Sequence, residues 1–319
     1  MIDSLILNCP LLEELDVREC FSLDYIKVFG PDLRLKILTV VSGVSSIEIS
    51  APNLQSFHYC GDLFFGHSFM NISSLDDVLF NSISYEFTEP EHDYVQILTD
   101  LAHVKVLTVC DGPLLYITLR DEDKQYTWGL PITFPNVQEL QLLLTSICDD
   151  TLSYVYGFFR NCFFPSLEKL FIQVPAIEMI EMDEHYNTQR MVVEEPSNCI
   201  FDNLKSIKIT GFKGHRNEMR LVKFLLEKAI VLEALILIVK KDSTVYSEFT
   251  QILPLPSLHD QLVSLPKASS DARIVLCEQS DDDNKLVPTH TEVYSPVDLD
   301  DYQTAISSIQ MTNVTANSM

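Results

Sequence analysis

Paired carboxylates, histidines and cysteines are the residues of this chain that could do chemistry. Asp76-Asp77, Asp149-Asp150 and Glu194-Glu195 each set two acids side by side, the residue type that general acid–base catalysis uses. Adjacent residues on a strand face opposite ways, and on a helix they diverge by about 100°. Each pair therefore reads as a solvated loop or a helix start, where acids are favoured by the helix dipole. The eight histidines are dispersed, and His58-Tyr59-Cys60 comes nearest to a ligand pair. Its alternation makes it a strand segment with His58 outward. The eight cysteines, at 9, 20, 60, 110, 148, 162, 199 and 277, form no C-x-x-C pair and have no histidine at zinc-finger spacing. They read as reduced, core-filling thiols. Gly211-Phe212-Lys213-Gly214 lacks the lysine and hydroxyl residue of a phosphate loop, so its glycines belong to a turn. Asp281-Asp282-Asp283-Asn284 lacks the glycine and closing glutamate of a calcium loop. A triad can be assembled from distant residues, but neither G-x-S-x-G nor H-E-x-x-H occurs. The sequence thus assigns no catalytic residue, no metal ligands and no cofactor, and the chain is expected not to be an enzyme.

Charge narrows the partners. The 319 residues carry 22 basic and 46 acidic side chains, a formal net charge of −24. Such a field repels phosphate backbones and anionic lipid, which excludes nucleic acid and a membrane surface as expected partners. The acidity either attracts a basic patch on another protein or simply keeps the chain solvated. The start, Met1-Ile2-Asp3-Ser4, has no basic, apolar leader, and no apolar run reaches the ~20 residues of a membrane span. A cytoplasmic or nuclear location follows as an expectation.

The elements that must position any site come from an internal repeat. An apolar-x-x-apolar-x-apolar unit recurs at Leu12/Leu15/Val17, Leu35/Leu38/Val40, Leu54/Phe57/Tyr59, Leu75/Val78/Phe80 and Val104/Leu107/Val109. It continues at Val137/Leu140/Leu142, Leu167/Leu170/Ile172, Leu204/Ile207/Ile209 and Leu232/Leu235/Leu237. The spacing of first positions is 23, 19, 21, 29, 33, 30, 37 and 28 residues, beginning within the leucine-rich-repeat range of about 20 to 29 and then exceeding it. The last two apolar positions, two apart on a short strand, point inward, and the first lies in the entering turn. One unit cannot bury its apolar face alone, so the units stack into a parallel sheet. The expected fold is α/β, an irregular leucine-rich-repeat solenoid with the sheet on its concave face.

Returns between strands lengthen along the chain. The first three, marked by Pro10, Gly30-Pro31, Gly43 and Pro52, have room only for a turn or an extended segment. Later ones carry helical periodicity: Val95, Leu98, Leu101 and Ala102 within Glu91 to Ala102, and Leu152, Val155, Tyr156 and Phe159 behind a cap at Asp150. Near the end, Met219, Val222, Leu225, Leu226 and Ala229 form another stripe with Asn217 as cap.

Function on such a sheet falls on the positions that alternate with the core. The candidate partner-facing residues are Asp16, Arg18, His58, Thr108, Gln141, Leu143, Phe171, Gln173 and Lys208. Phe171 or Leu143 is either a hot-spot anchor or a residue packed under a loop.

Cys9-Pro10-Leu11-Leu12-Glu13-Glu14-Leu15 and Ala51-Pro52-Asn53-Leu54 resemble the C-P-x-L-E-x-L and A-P-x-L units of plant F-box proteins with leucine-rich repeats. The stretch from Cys199 through Leu204-Lys205-Ser206-Ile207-Lys208-Ile209 to Leu232-Glu233, closed by Leu265 to Ile274, resembles the FBD module of that family. The resemblance implies an FBD-like strand-helix-strand cap on the solenoid. It also implies the substrate-recognition part of an SCF-type ubiquitin ligase. The alternatives it leaves are a small-molecule, hormone-like sensor and a stand-alone binder. The family's F-box, the helical part that docks on a Skp-type adaptor, does not fit before Leu12, so a protein substrate is the expected partner, and the adaptor only if an F-box lies upstream. The expected organisation is a repeat region at 1–175, an acidic mobile insertion at 176–198, the FBD-like module at 199–276 and a disordered acidic tail at 277–319. Nine acidic and two basic residues from Ala268 onward suggest that tail.

Overall fold

The computed structural model describes residues 6, 8–18, 20, 23, 25–30, 32–41, 44, 46–61, 67–82, 94–118, 132–174, 194–239, 255–278, 282 and 286–291. The chain divides into a body, Met1–Thr289, and a second unit, His290–Met319, of which residues 290–291 are described.

Every one of the nine repeat units folds into a parallel strand of a single sheet. The strands of the body are β1 (Glu14–Arg18), β2 (Tyr25–Phe29), β3 (Ile37–Val41), β4 (Ser46–Ser50), β5 (Ser56–Gly61), β6 (His67–Met70), β7 (Asp77–Ser82) and β8 (Val106–Cys110). They continue as β9 (Ile132–Thr133), β10 (Glu139–Leu143), β11 (Cys162–Phe163), β12 (Lys169–Gln173), β13 (Ser206–Thr210), β14 (Ala234–Val239) and β15 (Arg273–Glu278). The helices are α1 (Tyr94–Asp100), α2 (Asp111–Thr118), α3 (Asp149–Asn161), α4 (Arg216–Lys228) and α5 (Leu255–Val263). Ten strands order as β1-β3-β5-β7-β8-β10-β12-β13-β14-β15. Order in space follows order in the chain, as it must when each repeat stacks on the one before.

Register is uniform across the stack. Leu15, Leu38, Phe57, Val78, Leu107, Leu140, Leu170, Ile207, Leu235 and Ile274 form one inward row. Val17, Val40, Tyr59, Phe80, Val109, Leu142, Ile172, Ile209, Leu237 and Leu276 form the next. From Leu38 to Leu237 these side chains are sealed from solvent. Burying each stabilises by about 1.5–3 kcal/mol relative to exposure. A one-residue slip in any strand would turn that burial inside out, so the apolar rows set the register.

Two polar ladders run beside the core. Asn53, Asn136 and Asn203 donate their side-chain amides to the carbonyls of Leu33, His103 and Pro165 in the preceding repeat's turn, at 2.6, 3.2 and 2.7 Å. Just before the strands, Lys36, Lys105 and Lys205 pair with Glu13, Asp76 and Glu168 of the previous repeat. These pairs are half exposed and screened by water, so each contributes little. Their value is in matching neighbours.

The early returns take the extended alternative. Tyr25–Phe29, Ser46–Ser50 and His67–Met70 pair in parallel as a second, three-stranded sheet. Ile26, Val28, Ile47 and Ile49 alternate inward while Lys27 and Glu48 face out as an ion pair at 2.7 Å. The longer returns carry helices, with two caps displaced from their sequence positions. Cys148, and not Asp150, caps α3: its Sγ accepts from the Thr151 amide at 3.4 Å, leaving Asp149 and Asp150 in the first turn. His215, and not Asn217, is the N-cap residue of α4, where Glu218 accepts from the amides of Lys213 and His215 at 2.9 and 2.8 Å. Both helices start earlier because a side-chain carboxylate or sulfur reaches amides at the helix start.

The C-terminal strand-helix-strand unit continues the same sheet. Aromatic side chains join it to the repeats: Phe159 of α3 meets Phe201 at 5.1 Å, and Tyr156 meets Phe224 of α4 at 5.0 Å between ring centroids. Gly211 and Gly214 sit at φ +79° and +77° in the turn between β13 and α4, the conformation that favours glycine. Strand β15 runs through Cys277 to Glu278, and Asp282 and residues 286–289 are also placed, where composition had suggested a disordered tail from 277. Residues 292–319, residues 176–193 of the acidic insertion expected at 176–198, and Trp128 lie outside the described residues.

A candidate protein-binding face

The residues between the inward rows make three rows on the opposite face. The first runs Glu14, Ile37, Ser56, Asp77, Val106, Glu139, Lys169, Ser206, Ala234 and Arg273. The second runs Asp16, Thr39, His58, Leu79, Thr108, Gln141, Phe171, Lys208, Ile236 and Val275. The third includes Arg18 at one end and Cys110, Leu143, Gln173 and Thr210 in the middle. All nine candidate residues therefore stand on one face: Asp16, His58, Thr108, Gln141, Phe171 and Lys208 in the second row, Arg18, Leu143 and Gln173 in the third.

Facing away from the core is not the same as facing water. Asp16, Arg18 and Gln173 are exposed and His58 is half-buried, whereas Thr108, Gln141, Leu143, Phe171 and Lys208 are buried. Phe171, at 3% exposure, is packed under its surroundings in this conformation and is not an open anchor. Asp16 and Arg18 hold each other at 2.8 Å and charge the edge strand β1, which guards it against pairing with another sheet.

Polar groups along the face are joined across strands. His58 Nε2 lies 3.0 Å from Ser56 Oγ and 3.3 Å from Asp77 Oδ1, and Ser56 donates to the same carboxylate oxygen. Thr39 Oγ1 approaches His58 Nδ1 at 3.5 Å. Thr108 donates to Gln141 Oε1 at 3.2 Å. Lys208 Nζ is bonded to Asp282 Oδ2 at 2.6 Å and to the Leu286 carbonyl at 2.9 Å. Glu139 accepts from the Thr289 amide and lies 3.5 Å from Lys169 Nζ.

The acid pairs separate as strand and helix geometry requires. Asp76 pairs with Lys105 at the exposed turn while Asp77 turns onto the face with Ser56 and His58. Sequence reasoning missed the whole first row, including Ser56, Asp77 and Glu139. The signal was present, since each precedes the first inward strand position by one residue. Beside the face, Asp111 opens α2, fully buried, with Oδ2 accepting from the amide and hydroxyl of Thr145 and Oδ1 unpartnered. Burial pushes its carboxyl up to about 6 against the pull of the Thr145 bonds. None of the eight cysteines is in a disulfide, and burial pushes the Cys199 thiol up to about 12 and that of Cys162 higher still. Such thiols are poor nucleophiles.

A stack of nine L-x-x-L-x-L strands in one parallel sheet, with returns of turn, strand or helix behind it, defines a leucine-rich-repeat protein. The chain belongs to the family of the At1g61320/AtMIF1 leucine-rich-repeat domain, whose model matches residues 2–275. Among its relatives in Arabidopsis thaliana, it is similar to FBD-associated F-box protein At5g22730, 26% identical over 87% of this chain and 59% of that protein. It is similar also to FBD-associated F-box protein At1g61320, 22% identical over 76% of this chain and 54% of that protein. A third, FBD-associated F-box protein At5g27750, is 22% identical over 87% and 61% respectively. The chain thus spans little more than half the length of these relatives. No solved structure matches it. At family level it is a repeat module for protein interaction, as the resemblance in its C-P-x-L and FBD-like stretches implied. No helix among the described residues is long and apolar enough to cross a membrane.

Proposed function

We propose that this chain is the substrate-gripping part of an F-box-type ubiquitin ligase receptor, acting in the cytoplasm or nucleus. It holds a protein on the strand rows opposite the core while other subunits carry out ubiquitin transfer. The observation that supports this reading best is the continuity of the three rows. They run in register over ten strands with mixed polar, aromatic and charged side chains, a surface that varies by residue on a scaffold that does not. The F-box in the names of its relatives supports the ligase context, with contact to a Skp-type adaptor made through an F-box joined to this chain.

The test is a fusion of this chain behind a relative's F-box, expressed with a Skp-type adaptor and a cullin. The fusion directs ubiquitination of a defined set of proteins that the F-box alone does not. Arg18→Glu and Gln173→Glu, at exposed positions on the face, remove members of that set while adaptor binding persists. A set unchanged by these substitutions would overturn the reading of the face. Tight adaptor binding by residues 1–319 alone would overturn the assignment of docking to a separate F-box.

A further inference from the structure

Lys208 is the one buried lysine or arginine among the described residues, and it lies in the middle of the face opposite the core. A cation withdrawn from water needs a carboxylate and further acceptors to stay charged. Both come from far along the chain. Asp282 supplies a carboxylate oxygen at 2.6 Å and Leu286 a backbone carbonyl at 2.9 Å. Two strands away, the buried Glu139 accepts the backbone amide of Thr289. Asp282 and residues 286–289 therefore lie against the face at β13 and β10.

The manner of this contact is that of a peptide ligand. Its anchors are one acidic side chain, one main-chain carbonyl and one main-chain amide, the groups by which an extended segment is read. Apolar burial adds little, since Val287 is 55% exposed and Leu286 only partly covered. A loosely packed segment stays in place because its tether to β15 keeps its local concentration high. An untethered acidic segment meets the opposing field of a chain of net charge −24 and cannot compete unless the tethered one lets go.

We infer that Lys208 and Glu139 form a docking site for an extended, acidic segment of a partner protein, and that Asp282 together with residues 286–289 straps this site in cis. The inference rests on the reading of this face as the protein-binding one. Release of the strap uncovers the buried lysine and the middle of the second row, and engagement of a partner replaces its carboxylate and main-chain contacts.

The test uses the full chain and a fluorescent synthetic peptide of residues 281–291 as probe. Asp282→Ala removes the strap's carboxylate at a partly exposed position and leaves the core rows alone. Hydrogen exchange at the Thr289 amide rises by about tenfold or more in this variant, while exchange in β10 and β13 is unchanged. The probe binds the Asp282→Ala chain more than about tenfold tighter than the wild-type chain. Binding is lost when Lys208→Met is added and retained with Lys208→Arg. Unaltered exchange at Thr289 overturns the strap. A probe that binds both chains equally, or neither, overturns the docking site. These outcomes involve no ligase subunit and no natural substrate, so failure here leaves the ubiquitination test of the wider reading standing, and the reverse.

Discussion

Asp111 shows how much a single side chain depends on its surroundings. Its carboxyl is buried at the start of α2, with one oxygen bonded to Thr145 and the other without a partner, and its pKa is pushed from 3.8 up to about 6. The folded state binds its proton more tightly than the unfolded state does. Stability from this group is fully present below pH 3.8 and is lost as pH rises through about 6. Asp111→Asn removes the titration. In urea unfolding, the wild type should lose about 3 kcal/mol relative to the variant between pH 3.5 and pH 7, at about 1.4 kcal/mol per pKa unit. A stability difference that stays flat over that range would refute the burial argument. Gly211 is constrained by shape instead: at φ +79°, an added Cβ would lie 2.1 Å from the Val174 carbonyl oxygen. Gly211→Ala should cost more than the ~1 kcal/mol of the backbone conformation alone. Thermal unfolding measures this. Neither effect could be read from sequence, where Asp111 sits in no motif and Gly211 appeared only as part of a turn.

At the scale of elements, legibility followed periodicity. All nine strands stood where their L-x-x-L-x-L units predicted, because a period of two with one sealed face permits no other register. Helix α4 was legible from its apolar stripe, but its start was not. Glu218, within the expected helix, reaches back to the amides of Lys213 and His215 and moves the cap two residues ahead of Asn217. Glu218→Ala should destabilise by about 1–3 kcal/mol, since it leaves those amides without their acceptor. Denaturant unfolding would show it, and hydrogen exchange should place the fraying at the first turn of α4. The short returns were ambiguous for another reason. Tyr25–Phe29 and Ser46–Ser50 alternate as strands do, yet five residues become a strand only when a neighbour offers the ladder.

Across the whole molecule, stability is shared between neighbours. Ile207 in β13 sits between Leu170 and Leu235 in the sealed row, with repeats on both sides. Ile207→Ala should cost about 2–5 kcal/mol. Its effect in hydrogen exchange should extend into β12 and β14 because each repeat stabilises the next. Leu15→Ala in the edge strand β1 has a neighbour on one side only, and its effect should stop at β3. Equal spread from both sites would argue against nearest-neighbour coupling.

The repeat units alone determined that this chain is a parallel-sheet solenoid, and alternation determined that Asp16, Arg18, His58, Thr108, Gln141, Leu143, Phe171, Gln173 and Lys208 share the face opposite the core. Those are local properties, carried by a period that every strand obeys. Tertiary structure alone decided which of these residues meet water. Lys208 is buried by Asp282 and Leu286, more than seventy residues further along, and no local pattern records a contact between segments so far apart. The open part of that face is therefore narrower than alternation implied: Asp16, Arg18 and Gln173 meet water, while Thr108, Gln141, Leu143, Phe171 and Lys208 are closed off by packing that only the folded chain assembles.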